Sequence, residues 1–259
     1  MAHKNKSNES PYTRRTTLSQ RQQQTGGHKK PTDIFSVEEA NDRLYDIFRN
    51  HDMNWITHEQ RKQLCQFYVI LMENQKVHNF TRLVNFRDIA IKHFIDCLVV
   101  KQITELKFPL LDMGTGPGFP GIPLKILFPQ DKIILAEGVQ KRVEFLKVVR
   151  EKLELKELDI IGRNIDQTFV YPVNGVITRA VEEVSNTLKN VSQCLQVGGK
   201  VYLMKGPGVD PEIKSAKAEW KEYFKLVQDV AYELPKTTQA RRLVVFEKIK
   251  ALPLPDDDE

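Results

Sequence analysis

The sequence predicts an α/β fold whose sheet is mostly parallel and ends in an antiparallel pair of strands. From residue 107 onward, short apolar runs of strand length alternate with longer segments of helical period. A run of glycines and prolines separates the first apolar run from the first of these helical segments. Alternation of this kind indicates parallel strands joined by helical crossovers, and such sheets bind ligands beyond the carboxyl ends of their strands. Functional residues are therefore expected directly after each predicted strand.

Composition and charge divide the chain of 259 residues into four segments. Residues 1–31 form a basic arm, which is predicted to be disordered because it is polar almost throughout and cannot bury enough apolar surface to fold. Its cations outnumber its acids, so a phosphate-binding arm and a solvated tail both remain open as interpretations. Residues 32–106 form a helical N-terminal region, residues 107–250 the sheet domain, and residues 251–259 an acidic tail.

Three amphipathic helices are predicted within residues 32–106. The first has its apolar face over residues 37–48. The second is expected to begin at Thr57, because Gln60 stands three residues later and completes a capping box. The third covers residues 89–99. Their apolar faces predict that the helices pack against the sheet domain that follows.

The sheet domain is predicted to contain five parallel strands and a terminal antiparallel pair. The first strand ends in Asp112, and the next four cover residues 131–137, 158–161, 175–179 and 200–206. Segments 224–234 and 242–248 form the terminal pair. Helices are predicted to begin near Phe119 and to cover residues 141–153 and 185–194.

The turn after the first strand carries the strongest ligand-binding signal. It reads Asp112-Met113-Gly114-Thr115-Gly116-Pro117-Gly118-Phe119-Pro120-Gly121. Glycines allow positive φ and close approach of a ligand to the backbone. Its last six residues satisfy the G-x-G-x-x-G fingerprint of dinucleotide-binding proteins, and the whole run resembles the first motif of class I S-adenosylmethionine (AdoMet) methyltransferases.

Two features favour AdoMet over a dinucleotide at this turn. Pro120 and Pro123 remove amide donors that a pyrophosphate would need at a helix N-terminus. Asp112 would repel a pyrophosphate and attract a cationic sulfonium. Rossmann-like AdoMet methyltransferases are therefore the predicted class, and an NAD-dependent oxidoreductase is the alternative.

Residues that follow the other strands complete a predicted site. Glu137 ends the second strand, where a carboxylate can accept hydrogen bonds from both ribose hydroxyls. Arg179 and Lys205 follow the fourth and fifth strands, and two cations at this edge suit an anionic partner such as RNA phosphate. We treat them as positioning candidates, because the stretch Thr178-Arg179-Ala180 offers no general base and no residue is assigned as catalytic. The absence of a predicted general base is consistent with a nucleophile that already has a free lone pair and needs no deprotonation.

The same motifs closely resemble the RsmG/GidB family of 16S rRNA methyltransferases over residues 35–248. The matching stretches are the glycine-proline run up to Pro123, Asn79-Phe80-Thr81, His93-Phe94-Ile95-Asp96, Lys141-Arg142-Val143, Gly162-Arg163-Asn164-Ile165, Thr178-Arg179-Ala180, Met204-Lys205-Gly206 and Arg242-Leu243-Val244-Val245. The resemblance implies methyl transfer from AdoMet to N7 of a guanine in the 530 loop of 16S rRNA. A non-catalytic RNA-binding assembly factor with the same fold is a further alternative.

The resemblance also implies the contacts of individual residues. Gly114, Phe119, Asn164, Ile165 and Arg179 would contact AdoMet, together with the backbone at Gly116 and Gly118, and Glu137 would lie beside the ribose. Ile165 stands where the family usually has Glu, and Cys97 where it usually has Ser; Asp166 could supply the carboxylate one position later.

The predicted partner is 16S rRNA or the small ribosomal subunit. The candidate RNA contacts are Asn79, His93, Lys141, Arg142 and Lys205. For His93, a structural pair with Asp96 at i, i+3 is equally open. We expect a cytoplasmic monomer without a membrane span, since no apolar run is long enough, and without a metal, since the three cysteines lie far apart in sequence.

Overall fold

The computed structural model describes residues 28–179 and 181–253. Most of the predicted basic arm and residues 254–259 of the predicted acidic tail lie outside the described residues, so the predictions about them are not tested. The boundaries drawn between the four segments also stay predictions.

The N-terminal region is helical, as predicted. Helix α1 spans Val37–Asn50 and α2 spans His58–Gln75. The predicted capping box is present, because the Thr57 side chain accepts from the Gln60 amide and the Gln60 side chain accepts from the Thr57 amide. Helix α3 runs in four successive pieces, Phe86–Ile89, a π-helical segment Ala90–Ile95, Asp96–Leu98 and Val100–Ile103. The π-helical segment carries His93, and such segments are frequent at functional sites.

Within the described residues, seven strands form one sheet in the order β3-β2-β1-β4-β5-β7-β6. The strands are β1 (Leu110–Met113), β2 (Ile133–Ala136), β3 (Leu158–Ile161), β4 (Val173–Arg179), β5 (Leu195–Lys205), β6 (Phe224–Glu233) and β7 (Ala240–Lys248). The first five run parallel, whereas β7 pairs antiparallel with both β5 and β6. The prediction of a Rossmann-like, mostly parallel sheet with a terminal antiparallel pair and an N-terminal helical region is therefore confirmed.

Four helices connect the strands of the sheet domain: α4 (Gly121–Leu127), α5 (Gln140–Lys152), α6 (Val184–Asn190) and α7 (Asp210–Glu219). Helix α4 begins two residues later than the predicted start near Phe119, because Pro120 is its capping residue and not part of its first turn. Strand β5 begins five residues earlier than predicted, since residues 195–199 extend the pairing with β4 beyond the apolar run.

The sheet separates two apolar cores. Helices α1, α2 and α3 contribute Leu44, Leu64 and Phe94 to the core on one face, where they meet Leu135 and Tyr202 of the sheet. Helices α6 and α7 cover the second core on the other face. The N-terminal helices and the sheet therefore share one core, and this packing fixes α3 against the sheet.

Tyr202 provides a test of how the N-terminal region is joined to the sheet. Its buried hydroxyl donates to the Glu105 carbonyl at 2.8 Å and accepts from the Lys107 amide at 3.0 Å. Tyr202→Phe should lower the free energy of unfolding by about 1–3 kcal/mol, because it removes two hydrogen bonds at a part-buried site. Urea denaturation of the purified protein measures this change.

Tyr232→Phe is the matched control. The Tyr232 hydroxyl is buried without a hydrogen-bond partner among the described residues, so its removal should cost little or nothing. Equal losses in the two variants would contradict the role assigned to the Tyr202 hydrogen bonds.

Candidate functional site

A cavity of about 480 Å³ opens at the carboxyl end of β1. The turn after β1 forms one wall through residues 114–117 and Phe119, and Arg179 at the end of β4 forms another. Residues 80–83 and His93 of α3 close the third side. The cavity therefore lies where a parallel sheet is expected to bind its ligand, next to the predicted glycine turn.

The glycine turn has the backbone that its sequence predicts. Gly116 has φ +60°, and the position of a Cβ atom there would be open space. Gly118 has φ +106°, and a Cβ atom there would collide with the side chain of Ile122 in α4. Gly116 thus leaves room for a ligand beside the turn, whereas Gly118 allows the turn to pack closely against its own helix.

Asp112 lies beneath the turn and not in the cavity. It is fully buried, and its Oδ2 atom accepts a hydrogen bond from the Gly121 amide at 2.7 Å. Burial raises the pKa of Asp112 to about 7, although the Thr115 hydroxyl and the Gly121 amide act in the opposite direction. Asp112, predicted as a cofactor-binding residue, is therefore not among the residues lining the cavity, and its carboxylate holds the start of α4, which a strand-end acid in sequence cannot reveal.

Arg179 is held by residues of α3. Its Nη1 atom lies 3.3 Å from Asp96 Oδ2, and its Nη2 atom donates to His93 Nδ1 at 3.0 Å. Arg241 of β7 binds the other oxygen of Asp96 at 3.0 Å. Arginine has only donors, so His93 Nδ1 accepts and the ring carries its proton on Nε2. The structure thus places Arg179 between His93 and Asp96, where the sequence left a direct His93–Asp96 pair open.

His93 is fixed on three sides. Its ring stacks on Phe119 with centroids 4.2 Å apart, and its Nε2 atom lies 3.0 Å from the Thr81 hydroxyl. Burial and the adjacent Arg179 lower the pKa of His93 to about 3. The imidazole is therefore neutral at physiological pH and is a weak base, so it serves to orient Arg179 and Thr81.

Glu137 follows β2 directly, as predicted, and both oxygens of its carboxylate contact groups of the protein. Its Oε1 atom accepts from the Val139 amide at 2.7 Å, and its Oε2 atom lies 3.4 Å from Arg142 Nη1. Arg142 is therefore paired with Glu137, whereas the neighbouring Lys141 is exposed. The predicted RNA contact at Arg142 thus has a partner within the protein already.

The loop after β3 differs from the expected arrangement. The Asn164 side chain packs directly against Gly138, next to Glu137. Ile165 is buried in the second core, and Asp166 binds Arg163 at 3.0 Å and the Thr168 amide at 2.9 Å. Asp166 is therefore engaged by side chains and backbone of its own loop. Cys97, the other departure, is buried, with its Sγ atom 3.9 Å from Arg179 Nη1.

Lys205, predicted as an RNA contact, is engaged by partners within the protein. Its Nζ atom binds Glu212 Oε2 at 2.9 Å and the Glu182 carbonyl, and only 9% of its side chain is exposed. Asn79, in contrast, is exposed and precedes Phe80, which lines the cavity. Sequence reasoning did not identify Thr81, Arg82 and Arg241 as site residues, although Thr81 lies in the quoted Asn79-Phe80-Thr81 motif.

In the described part of the chain, no group of three or more His, Cys, Asp or Glu side chains is arranged to hold a metal ion. None of the helices in residues 28–179 and 181–253 is long and apolar enough to cross a membrane.

Fold and site together define an α/β protein with a ligand site at a glycine turn on the carboxyl edge of its sheet. Comparison with models of protein families identifies the family to which the chain belongs. The family model for rRNA small subunit methyltransferase G (GidB) matches residues 60–244. The chain belongs to this family, so the predicted family is confirmed; it is a family of methyltransferases and not of oxidoreductases.

Curated relatives agree with this assignment. Ribosomal RNA small subunit methyltransferase G 2 of Bdellovibrio bacteriovorus is 63% identical over 234 residues, which cover 90% of this chain and 92% of the relative. The protein of the same name from Syntrophobacter fumaroxidans is 42% identical over 72% of this chain and 38% of its own length. Ribosomal RNA small subunit methyltransferase G of Mycoplasma capricolum is 35% identical over 79% of this chain and 89% of its own length.

Asp112 makes the stability of the protein depend on pH. Its pKa in the folded state is about 7, above the value of 3.8 for an exposed Asp, so the folded state binds this proton more tightly. The Asp112 contribution therefore lowers the free energy of unfolding as pH rises between these two values. Asp112→Asn keeps an acceptor for Gly121 and removes the charge, so its stability relative to wild type should rise by about 2–3 kcal/mol from pH 5 to pH 8.

Urea denaturation of both proteins at the two pH values measures this difference. Asp42→Asn, on the exposed face of α1, is the control and should show no such change. A relative stability of Asp112→Asn that is equal at pH 5 and pH 8 would contradict a buried, titrating Asp112.

Proposed function

We propose that this protein transfers a methyl group from AdoMet to N7 of a guanine in the 530 loop of 16S rRNA. Membership of the rRNA small subunit methyltransferase G family supports the reaction class. The observation that carries the proposal is the cavity beside the glycine turn, which is open at Gly116 and bordered by Arg179. A substrate of this kind places the enzyme in the cytoplasm, acting on 16S rRNA or the small subunit, and we propose that it works as a monomer.

The residues present fit AdoMet. Gly116 leaves open space beside a backbone at positive φ, and Glu137 presents an ordered carboxylate at the next strand end. The residues proposed to hold the cofactor are Gly114, Gly116, Gly118, Phe119, Glu137, Asn164, the backbone at Ile165, and Arg179. Asp112 is proposed to act indirectly, by holding the turn. When bound, AdoMet supplies a methyl group activated by a sulfonium.

The polar groups of the cavity support attack by a lone pair that is already free. His93 is a weak base whose two ring nitrogens are both engaged, and Arg179 is a cation. Neither can take a proton from a substrate near neutral pH. Guanine N7 loses no proton when it is methylated, so catalysis would come from positioning and from the electrostatic field of the site.

Arg179 is proposed to orient a carboxylate or phosphate rather than the guanine ring. The purine becomes cationic as it accepts the methyl group, and a cation directed at the ring would oppose this change. Asp96 and His93 hold two N–H groups of the guanidinium, so only its remaining N–H groups can donate to a substrate or cofactor anion. Of the other proposed RNA contacts, Asn79 and Lys141 are exposed, whereas His93, Arg142 and Lys205 act first on partners within the protein.

Methyl transfer itself tests the proposed function. The purified protein is incubated with AdoMet labelled in its methyl group and with either free 16S rRNA or assembled small subunits. Label should enter the RNA at one guanine of the 530 loop, and chemical cleavage specific for N7-methylguanine should locate it there. No incorporation into either substrate, with AdoMet or RNA still bound, would favour a non-catalytic RNA-binding factor.

Gly116→Val tests the cofactor site. Valine would fill the open space beside the turn and would also strain a backbone at φ +60°. AdoMet affinity, measured by isothermal titration, should fall at least about tenfold, which corresponds to 1.4 kcal/mol.

Gly198→Val is the matched control, because Gly198 also has positive φ and open space at its Cβ position but does not line the cavity. It carries the same backbone strain and should bind AdoMet with wild-type affinity. Unchanged affinity in Gly116→Val would show that the assigned cofactor site is wrong.

A further inference from the structure

Five exposed cations surround the loop that forms one wall of the cavity. These residues, called here the rim patch, are Lys29, Lys30, Lys76, Arg82 and Lys141. None of them forms an ion pair with a carboxylate among the described residues. Other exposed cations, such as Lys62 and Lys214, also lack one, so the position of these five around the cavity loop is what distinguishes them. Solvated cations with nearby acids are ordinary surface, but an uncompensated group beside a substrate cavity indicates an anionic partner.

The buried amide of Gln75 holds the rim patch together. Its Oε1 atom accepts from the Phe80 and Thr81 amides at 2.8 and 3.0 Å, and its Nε2 atom donates to the Thr81 and Lys29 carbonyls at 2.9 and 2.8 Å. Both donors and both lone pairs of the amide are thereby used. Residues 28–30 are therefore docked onto the same loop whose Thr81 side chain reaches His93 in the cavity.

The other members of the patch are placed by neighbouring contacts. Lys76 follows Gln75 directly, and Arg82 follows Thr81 and itself lines the cavity. The ring of Phe80 packs against Phe145 of α5 at 4.8 Å between centroids, and Lys141 lies one helical turn before Phe145. Glu73 lies three positions before Lys76, close enough along the helix for the two side chains to meet, but they form no ion pair among the described residues.

We propose that the rim patch binds phosphates of the RNA strand whose target base enters the cavity. This inference rests on the proposed function, because it identifies the surface that holds the same substrate. Phosphate contacts fix the position and register of a nucleic acid, and an enzyme that modifies a base must hold the backbone on either side of it. Arg82 is the member of the patch that lines the cavity, and Lys29 and Lys30 belong to the predicted basic arm.

A triple variant, Lys29→Ala with Lys30→Ala and Arg82→Ala, tests the proposal in the full-length protein. Binding to 16S rRNA and to assembled small subunits is measured from low to moderate salt. The slope of log affinity against log salt should become shallower by about 2–3, because each lost phosphate contact removes about 0.7–0.9. RNA affinity at low salt should fall at least about tenfold.

Two further variants separate phosphate binding from net charge and from misfolding. Lys214→Ala with Lys217→Ala and Lys221→Ala removes the same charge on the opposite face of the sheet, where α7 packs on the second core, and should leave the salt slope unchanged. Lys29→Arg with Lys30→Arg and Arg82→Lys keeps the charges and should retain RNA affinity.

A wild-type salt slope in the rim-patch variant, or an equal loss in the α7 variant, would overturn the proposal. Both readouts are equilibrium affinities, so they decide the role of the patch even if the wild-type protein transfers no methyl group. If only the role of the rim patch is wrong, the salt slope stays at its wild-type value while methyl transfer by the wild-type protein is still observed. The two proposals can therefore fail separately.

Discussion

The buried carboxylate of Asp96 joins α3 to two strands of the sheet, β4 and β7. It belongs to α3, and it binds Arg179 at the end of β4 and Arg241 at the start of β7. A carboxylate taken out of water is costly unless it is paired, and here each oxygen has its own guanidinium. The pairing also restricts the side-chain conformations of Arg179, so its guanidinium is held in place before a ligand binds. That preorganisation is what a site working by position and field requires.

A second buried acid supports the opposite wall. Asp112 is surrounded by protein and binds one backbone amide at the start of α4. Burial disfavours its ionised form, so with a pKa of about 7 the group is partly protonated near neutral pH. A cationic ligand in the cavity would favour the ionised form. The turn and the ligand are thus coupled electrostatically even though Asp112 makes no contact with the open space.

The helical N-terminal region is part of the site and not only attached to it. Its helices share a core with the sheet, and α3 contributes His93 to the cavity wall and Asp96 as the partner of Arg179. Gln75 at the end of α2 fixes the loop that carries Thr81 and docks residues 28–30 beside it. The π-helical segment of α3 presents His93 to Phe119 and Arg179. A change in how these helices pack would therefore alter the cavity directly.

The sequence by itself determined the sheet, the capping box at Thr57, the glycine turn and the placement of Glu137 at a strand end. Each of these depends on residues within a few positions of one another, so their periodicity and turn chemistry are visible locally. Only the tertiary structure decided which charged groups face the cavity. Arg179 meets His93 from 86 positions away, and Lys205 is bound by a glutamate on the following helix and a carbonyl 23 positions earlier. Burial and pairing of charges arise from such distant contacts, and for that reason the linear pattern predicted free cations where the fold has made ion pairs.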